Sequence, residues 1–211
     1  MSKCTDQESL YEDIDFCQGQ SAPAGIRDYF YAISKRDIVS WPTISRTGKT
    51  TLDAIPVYDG DFKLAADKKF VRIALIPDQS QIQSESQGSY GGKSFKNTAT
   101  LVVPTTREAI TGFISEANND DMVFLVPDRN GKFRMVGSEV FMPELTLAQD
   151  SGKAATDTNS TTVTAVSTDI YPAPFYPGKI ETNAGDISGA DGKPLPADPA
   201  NPDTGGGQAG A

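Results

Sequence analysis

The sequence predicts a mainly β domain with one flanking α-helix, and three observations within residues 98–147 carry that reading. Ala99, Leu101 and Val103 alternate with Thr98, Thr100 and Val102 until Pro104 stops the run, which is the period of a half-buried strand. Behind Thr105 and Glu108, whose separation is that of a capping box, Ala109, Ile110, Phe113, Ile114 and Ala117 recur at helical spacing until Asn118 and Asn119. Ile110, Phe113 and Ile114 are expected to face the sheet. Asp128-Arg129-Asn130-Gly131 is turn chemistry, because Asn and Gly tolerate positive φ; it joins the apolar residues 122–126 to a return strand over 132–136. A last strand over 143–148 completes the unit.

The chain has 211 residues, long enough for one substantial core. Its net charge of -9 argues against binding nucleic acid through phosphate neutralisation. With no histidine, the chain lacks the base of a Ser-His-Asp or Cys-His catalytic set and any histidine-ligated zinc. Cys4 and Cys17 are too few for a four-thiolate metal site. They are read as two free thiols rather than a disulfide, since cytoplasmic thiols usually stay reduced. No apolar run approaches the roughly 20 residues that cross a bilayer, and the start has no signal-peptide core, so a soluble protein made in the cytoplasm is expected.

Residues 1–24 are polar and acidic with isolated Leu10, Tyr11, Ile14 and Phe16. They read either as an arm that orders against a neighbour or as a frayed terminus. Residues 25–181 are expected to form the β domain. Its first strands lie in the aromatic-rich residues 26–33 and in 37–41, where Pro42 ends the run. Residues 45–51, Ser-Arg-Thr-Gly-Lys-Thr-Thr, end like a phosphate-binding loop, but Thr43 stands where the motif needs glycine, and the strand and helix around it are missing; a polar turn is the better reading. A short strand over 62–66 and a clear one over 70–76 follow, the latter with Val71, Ile73 and Leu75 on one face.

Residues 81–95 are the unusual stretch. Gln81, Gln83, Glu85 and Gln87 hold alternate positions, Ile82, Ser84 and Ser86 the others, and Gly88, Gly91 and Gly92 follow. Period-two spacing with so little apolar content suggests a hairpin arm projecting from the core and returning through Phe95, with a polar loop as the alternative. Exposed strand edges of this kind invite pairing between subunits. Further on, residues 150–160 form a polar turn, 161–167 a strand, and Phe175 and Tyr176 stand between prolines where they cap the core or dock on a neighbour. Residues 182–211, rich in Gly and Pro, are expected to be a mobile tail because almost nothing there can be buried.

Three patches, 25–31 (Gly-Ile-Arg-Asp-Tyr-Phe-Tyr), the tip and return strand from Gly88 to Phe95, and 128–137, together with a weaker one in residues 150–159, make residues 25–180 resemble the major tail tube proteins of long-tailed bacteriophages, the Bacteroidetes-phage type in particular. The resemblance implies a β-sandwich or rolled sheet flanked by one helix, whose copies assemble into stacked hexameric rings around a channel for DNA. It also implies a place in the virion tail after synthesis in the host cytoplasm, with tape measure, terminator and baseplate proteins as partners and DNA passing without specific binding. On this reading the inter-subunit and lumen candidates are Gln81, Gln83, Glu85, Gln87, Gly91, Gly92 and Phe95. A negative channel wall lets phosphates slide rather than stick.

Other readings start from the same features. A capsid decoration or head-tail connector protein shares a β-rich body and loose termini. A carbohydrate-binding β-module would use exposed tyrosines and Trp41 as stacking platforms, although Ile38 and Val39 beside it favour a core or interface role for Trp41. An enzyme has least support: Asp120-Asp121 and the pair Asp13 and Asp15 read as solvated acids, and no catalytic, cofactor-binding or metal-ligating residue is assigned.

Overall fold

The computed structural model describes residues 9–19, 21–154 and 156–196. In chain order the elements are β1 (Tyr29–Ser34), β2 (Ile38–Ser40), β3 (Lys63–Leu64), β4 (Val71–Ala74), β5 (Gln81–Gln87), β6 (Ser94–Val103), α1 (Glu108–Ala117), β7 (Met122–Pro127), β8 (Phe133–Val136), β9 (Glu144–Asp150), β10 (Ser160–Asp169), β11 (Lys179–Ile180) and β12 (Ile187–Ser188). The expected mainly β architecture with one helix is what forms. Two antiparallel four-stranded sheets carry it, one ordered β4-β1-β7-β8 and the other β5-β6-β10-β9.

Strand alternation explains the stacking. Phe30, Ala32, Phe124, Val126 and Val136 leave one face of the first sheet and meet Ala99, Leu101, Val103, Val163 and Ala165 from the inner face of the second. Ile110 and Ala117 of α1 join the same cluster, and Phe113 and Ile114 pack on it half-buried. The opposite face of the first sheet presents Tyr31, Ile33, Val123, Leu125, Phe133 and Met135 to a third layer, in which Tyr58, Phe62, Phe70 and Tyr176 come from loops and Ile180 from β11. Every residue of β7 is therefore buried. A continuous apolar run is the pattern of a strand covered on both faces.

Tyr176 locks the loop layer. Its ring lies 4.9 Å from that of Phe62, its hydroxyl accepts the Phe62 N–H at 3.1 Å, and the same hydroxyl donates to the Lys179 carbonyl at 2.7 Å. Burial pushes its ionisation well above that of a free tyrosine. Trp41 packs edge-on to Phe62 at 5.6 Å and is half-buried, a packing role rather than an open platform.

Several expectations change. The capping box does not form: Arg107 is the N-cap, with no side-chain cap, and the Thr105 hydroxyl instead accepts from the Arg107 N–H and Nε. Val71 is 47% exposed, so the apolar face of β4 runs out at the sheet edge. The phosphate-loop-like turn is committed internally, with Lys49 Nζ 2.7 Å from both Asp59 carboxylate oxygens.

The largest correction concerns the C-terminal segment, expected to be mobile from Thr182. Through residue 196 it lies on the core. Ile180 and Ile187 pair across β11 and β12, Thr182 is buried beside Phe70, and Ile187 packs into the loop layer. The Gly189 carbonyl accepts the Phe133 N–H at 3.0 Å and its own N–H donates to Gly178 at 2.8 Å, which covers the edge of β8. Backbone hydrogen bonds hold this segment where its composition offers little apolar surface. Residues 197–211 of the expected tail lie outside the described residues.

Gly189 gives the sharpest check on this docking. A Cβ there would collide with the Tyr176 carbonyl oxygen and approach that of Gly178. Gly189→Ala is expected to cost about 1–3 kcal/mol or more through overpacking, whereas a mobile tail would absorb it without change. Urea denaturation of the two proteins decides between them. The helix has its own test: Ile110→Ala should cost about 2–5 kcal/mol, and Phe113→Ala, half-buried, less than the roughly 3–5 of a fully buried ring. Equal, near-zero losses would mean that α1 packs elsewhere.

Candidate assembly surface

Polar alternation on the second sheet produces the most distinctive surface of the molecule. The register Gln81↔Thr100, Gln83↔Thr98, Glu85↔Lys96 and Gln87↔Ser94 aligns the polar set of β5 with that of β6. Thr100↔Thr164, Thr98↔Val166 and Lys96↔Thr168 carry the row onto β10, and Thr164↔Thr146 and Val166↔Glu144 carry it onto β9. The outer face is thus mostly Gln, Thr and Ser, interrupted by Val102, Ala148 and Val166, with the acids Glu85, Glu144 and Asp150 against the single lysine Lys96. A sheet needs apolar residues only on the side that meets a core, so this face is free to be polar.

Gln81, Gln83 and Glu85 are exposed on that face, and the Gln83 amide donates to Glu85 Oε1 at 2.7 Å. Gln87 is half-buried and bridges Ser94 Oγ at 3.3 Å and Thr168 Oγ1 at 3.1 Å. The hairpin is present, but as an arm it is shorter than expected. β10 follows β6 as far as Asp169↔Phe95, so only residues 87–94, the last pair Gln87↔Ser94 and the tip, pass beyond the three-stranded part. Ile82 is half-buried and packs on the subunit's own core cluster.

The tip depends on its glycines. Gly88 and Gly91 hold φ of 90° and 89°, a region L side chains rarely adopt, and the Gly92 N–H donates to the Ser89 carbonyl at 3.0 Å. Tyr90 stands fully in solvent between them. Phe95, at the base, is half-buried.

Both margins of this sheet end on strands with a single partner, β5 on one side and β9 on the other. Val102 turns its backbone toward the β5 side, taking the Ile76 N–H on its carbonyl and donating its own N–H to Ser80 Oγ. Alternation then directs the backbone groups of Ile82, Ser84 and Ser86 outward. A shallow cleft of about 820 Å³ runs beside them, lined by Ile82, Ser84, Asp78 and Arg129. Its two arginines are already engaged. Arg134 Nε binds Asp128 at 2.9 Å with its guanidinium 4.2 Å from the Phe175 ring centre, and Arg129 lies 3.8 Å from Asp78.

The far end of β10 carries a buried acid. Asp169 Oδ1 accepts the Ile170 N–H at 2.6 Å and the Tyr171 N–H at 3.4 Å. Burial raises its pKa above the usual carboxylate value, and the two N–H groups only partly offset this. Tyr58, in the same cleft of about 300 Å³, is pushed up mainly by its own burial and secondarily by Asp169. In the polar turn before β10, Asp157 accepts the Ala154 and Lys153 N–H groups at 2.8 Å, which hold its carboxyl below the usual range.

Among the described residues no group of three or more acids or cysteines is arranged to hold a metal ion. Cys17 is free and exposed, and Cys4 lies outside the described residues. No described helix is long and apolar enough to cross a membrane. No protein family, curated protein or solved structure matches this chain.

The Asp169 shift has a definite sign. Between the carboxyl's pKa in the unfolded chain and its raised folded value, the folded chain holds a proton that the unfolded chain has lost, so stability falls as pH rises through that window. At neutral pH the cost of burying the ion remains. Asp169→Asn keeps the Oδ1 acceptor, so it is expected to raise the melting temperature at pH 7 and to lose that advantage below the ordinary carboxylate range. A melting temperature at pH 7 equal to or below that of the parent would show that the ionised carboxylate is well compensated.

Proposed function

We propose that this chain is a structural subunit that assembles with copies of itself into rings stacked as a tube, in the manner of a long-tailed bacteriophage's tail tube. The observation that carries the reading is a four-stranded sheet, polar and acidic on its exposed face, with both margins unpaired among the described residues. Open margins on opposite sides suit head-to-tail pairing, β5 of one copy against β9 of the next, which closes on itself and removes the exposed edges. Six copies of the four-stranded sheet make twenty-four strands, a barrel about 40–50 Å between opposite backbones at the usual spacing and tilt.

In this arrangement Gln81, Gln83, Glu85 and Gln87 line the channel with the threonines of β6, β9 and β10. Three acids to one lysine give a wall that repels phosphates and offers no cationic site for a nucleic acid to hold. The tip, with Gly91, Gly92 and the solvated Tyr90, reaches past the sheet toward the next ring. Tape measure, terminator and baseplate proteins are then the partners at the tube's interior and ends, and the virion tail is the location.

Negative-stain microscopy of the purified protein tests the reading directly: hollow tubes support it, and discrete monomers or trimers that bind only capsids favour a decoration protein instead. The edge is tested by Ser84→Pro. Proline is tolerated where the strand N–H faces away from its partner, so the subunit should fold with an unchanged melting temperature while tube formation is lost. Normal tubes from Ser84→Pro would place the ring contact elsewhere.

A further inference from the structure

The first sheet also has an uncovered margin, and its chemistry differs from that of the polar sheet. Leu75 donates its N–H to Asp28 beside β1, and Phe70 turns the other way to donate to Glu181. Alternation between them leaves the N–H and C=O groups of Arg72 and Ala74 directed outward, with no backbone partner among the described residues. Beside this edge lies a groove of about 420 Å³ between β4 and α1. Val71, Ile73, Val103, Pro104, Ile110 and Phe113 line it with Arg107, and no acid is in its lining; Arg72 borders it but sends its guanidinium to the other face of β4, 4.4 Å from the Tyr29 ring centre.

The chain carries a segment that matches this edge in period and charge. Tyr11, Ile14 and Phe16 are 92%, 86% and 78% exposed, three large apolar side chains without a place on their own subunit. In an extended strand Ile14 and Phe16 fall on one face with Glu12, and Tyr11, Asp13 and Asp15 fall on the other. On β4, Val71 and Ile73 point toward the groove and Arg72 to the opposite side, since they sit across from Ala32, Phe30 and Tyr31 of β1. A strand added here therefore puts apolar residues on apolar and both aspartates on the side of Arg72. The apolar cleft around Trp41, Phe141 and Ile170 fits less well, because Glu139 and Asp169 in its lining would repel the same acids.

We propose that residues 11–16 of one copy add as a strand to the open edge of β4 on a second copy, with Ile14 and Phe16 in the groove and Asp13 and Asp15 beside Arg72. In its own subunit the arm lies elsewhere than β4. There Glu12 Oε1 accepts the Leu52 N–H at 3.2 Å, which keeps the arm beside the 41–66 loops. This contact requires only a second copy and does not rest on the tube reading.

Sedimentation velocity of the full-length chain over a concentration series tests it. Two variants, one defective in the arm (Ile14→Asp with Phe16→Asp) and one in the edge (Arg72→Glu), change exposed side chains, and each alone should associate at least about tenfold more weakly than the parent. Mixed together they should recover a two-copy complex, because one brings an intact edge and the other an intact arm. Adding Asp13→Lys and Asp15→Lys to Arg72→Glu should restore association by reversing both charges. A silent mixture, as expected of an arm docked within its own chain or on an unrelated partner, overturns the proposal, as does failure of the charge reversal. Ser84→Pro should leave this association unchanged, which separates its failure from that of the β5 and β9 pairing.

Discussion

Burial of β7 on both faces is the constraint from which the rest of the architecture follows. Phe124 and Val126 meet the second sheet while Val123 and Leu125 meet the loop layer, and none of the four exposes any surface. Covering one face requires another sheet, and the other face requires whatever else the chain can supply. Here that is Tyr58, Phe62, Phe70, Tyr176 and Ile180, aromatic-rich and drawn from segments far apart in sequence. At about 25 cal/mol per Å² of apolar surface, such side chains offset the ordering entropy of long loops that would otherwise stay open.

This layering leaves the second sheet with only one face to bury, and the consequences for function come from its other face. The polar rows of Gln, Thr and Ser are compatible with stability because Ala99, Leu101, Val163 and Ala165 already fill the interior side. Strand pairing, not side-chain burial, is what the margins offer a neighbour. Contacts of that kind would gain hydrogen bonds only in an assembly and expose little apolar surface beforehand, which agrees with the subunit proposed above. The β4 margin differs, since backbone groups with no backbone partner among the described residues run beside an apolar groove, with Arg107 in its lining and Arg72 on the other face.

Much of this was legible in the sequence. Period-two alternation in residues 98–103, the continuous apolar run of β7, the turn at 128–131 and the amphipathic α1 each reflect a local burial pattern, and local patterns survive without knowledge of the neighbours. The polar alternation of residues 81–87 pointed to a hairpin arm, with a polar loop as the alternative, and a strand of the second sheet is what forms there. What the alternation lacked was the identity of the partner on the other side. That Ile82 rests on its own subunit's core depends on residues contributed by β6 and by the first sheet.

By itself, then, the sequence determined the mainly β class, the single helix and the polar face of β5, because each is written in the spacing of side chains along one segment. Only the tertiary structure decided that residues 182–196 dock. Composition counts apolar side chains, whereas this segment is held by the Gly189 backbone against Phe133 and Gly178, by the bridge of Thr182 to Phe70 beside the Phe70 N–H bond to Glu181, and by a glycine that lets Tyr176 come close. The same holds for the helix start, where the Thr105 hydroxyl went to Arg107 instead of closing a box with Glu108. Spacing names the groups able to bond, and the path of the whole chain settles which of them meet.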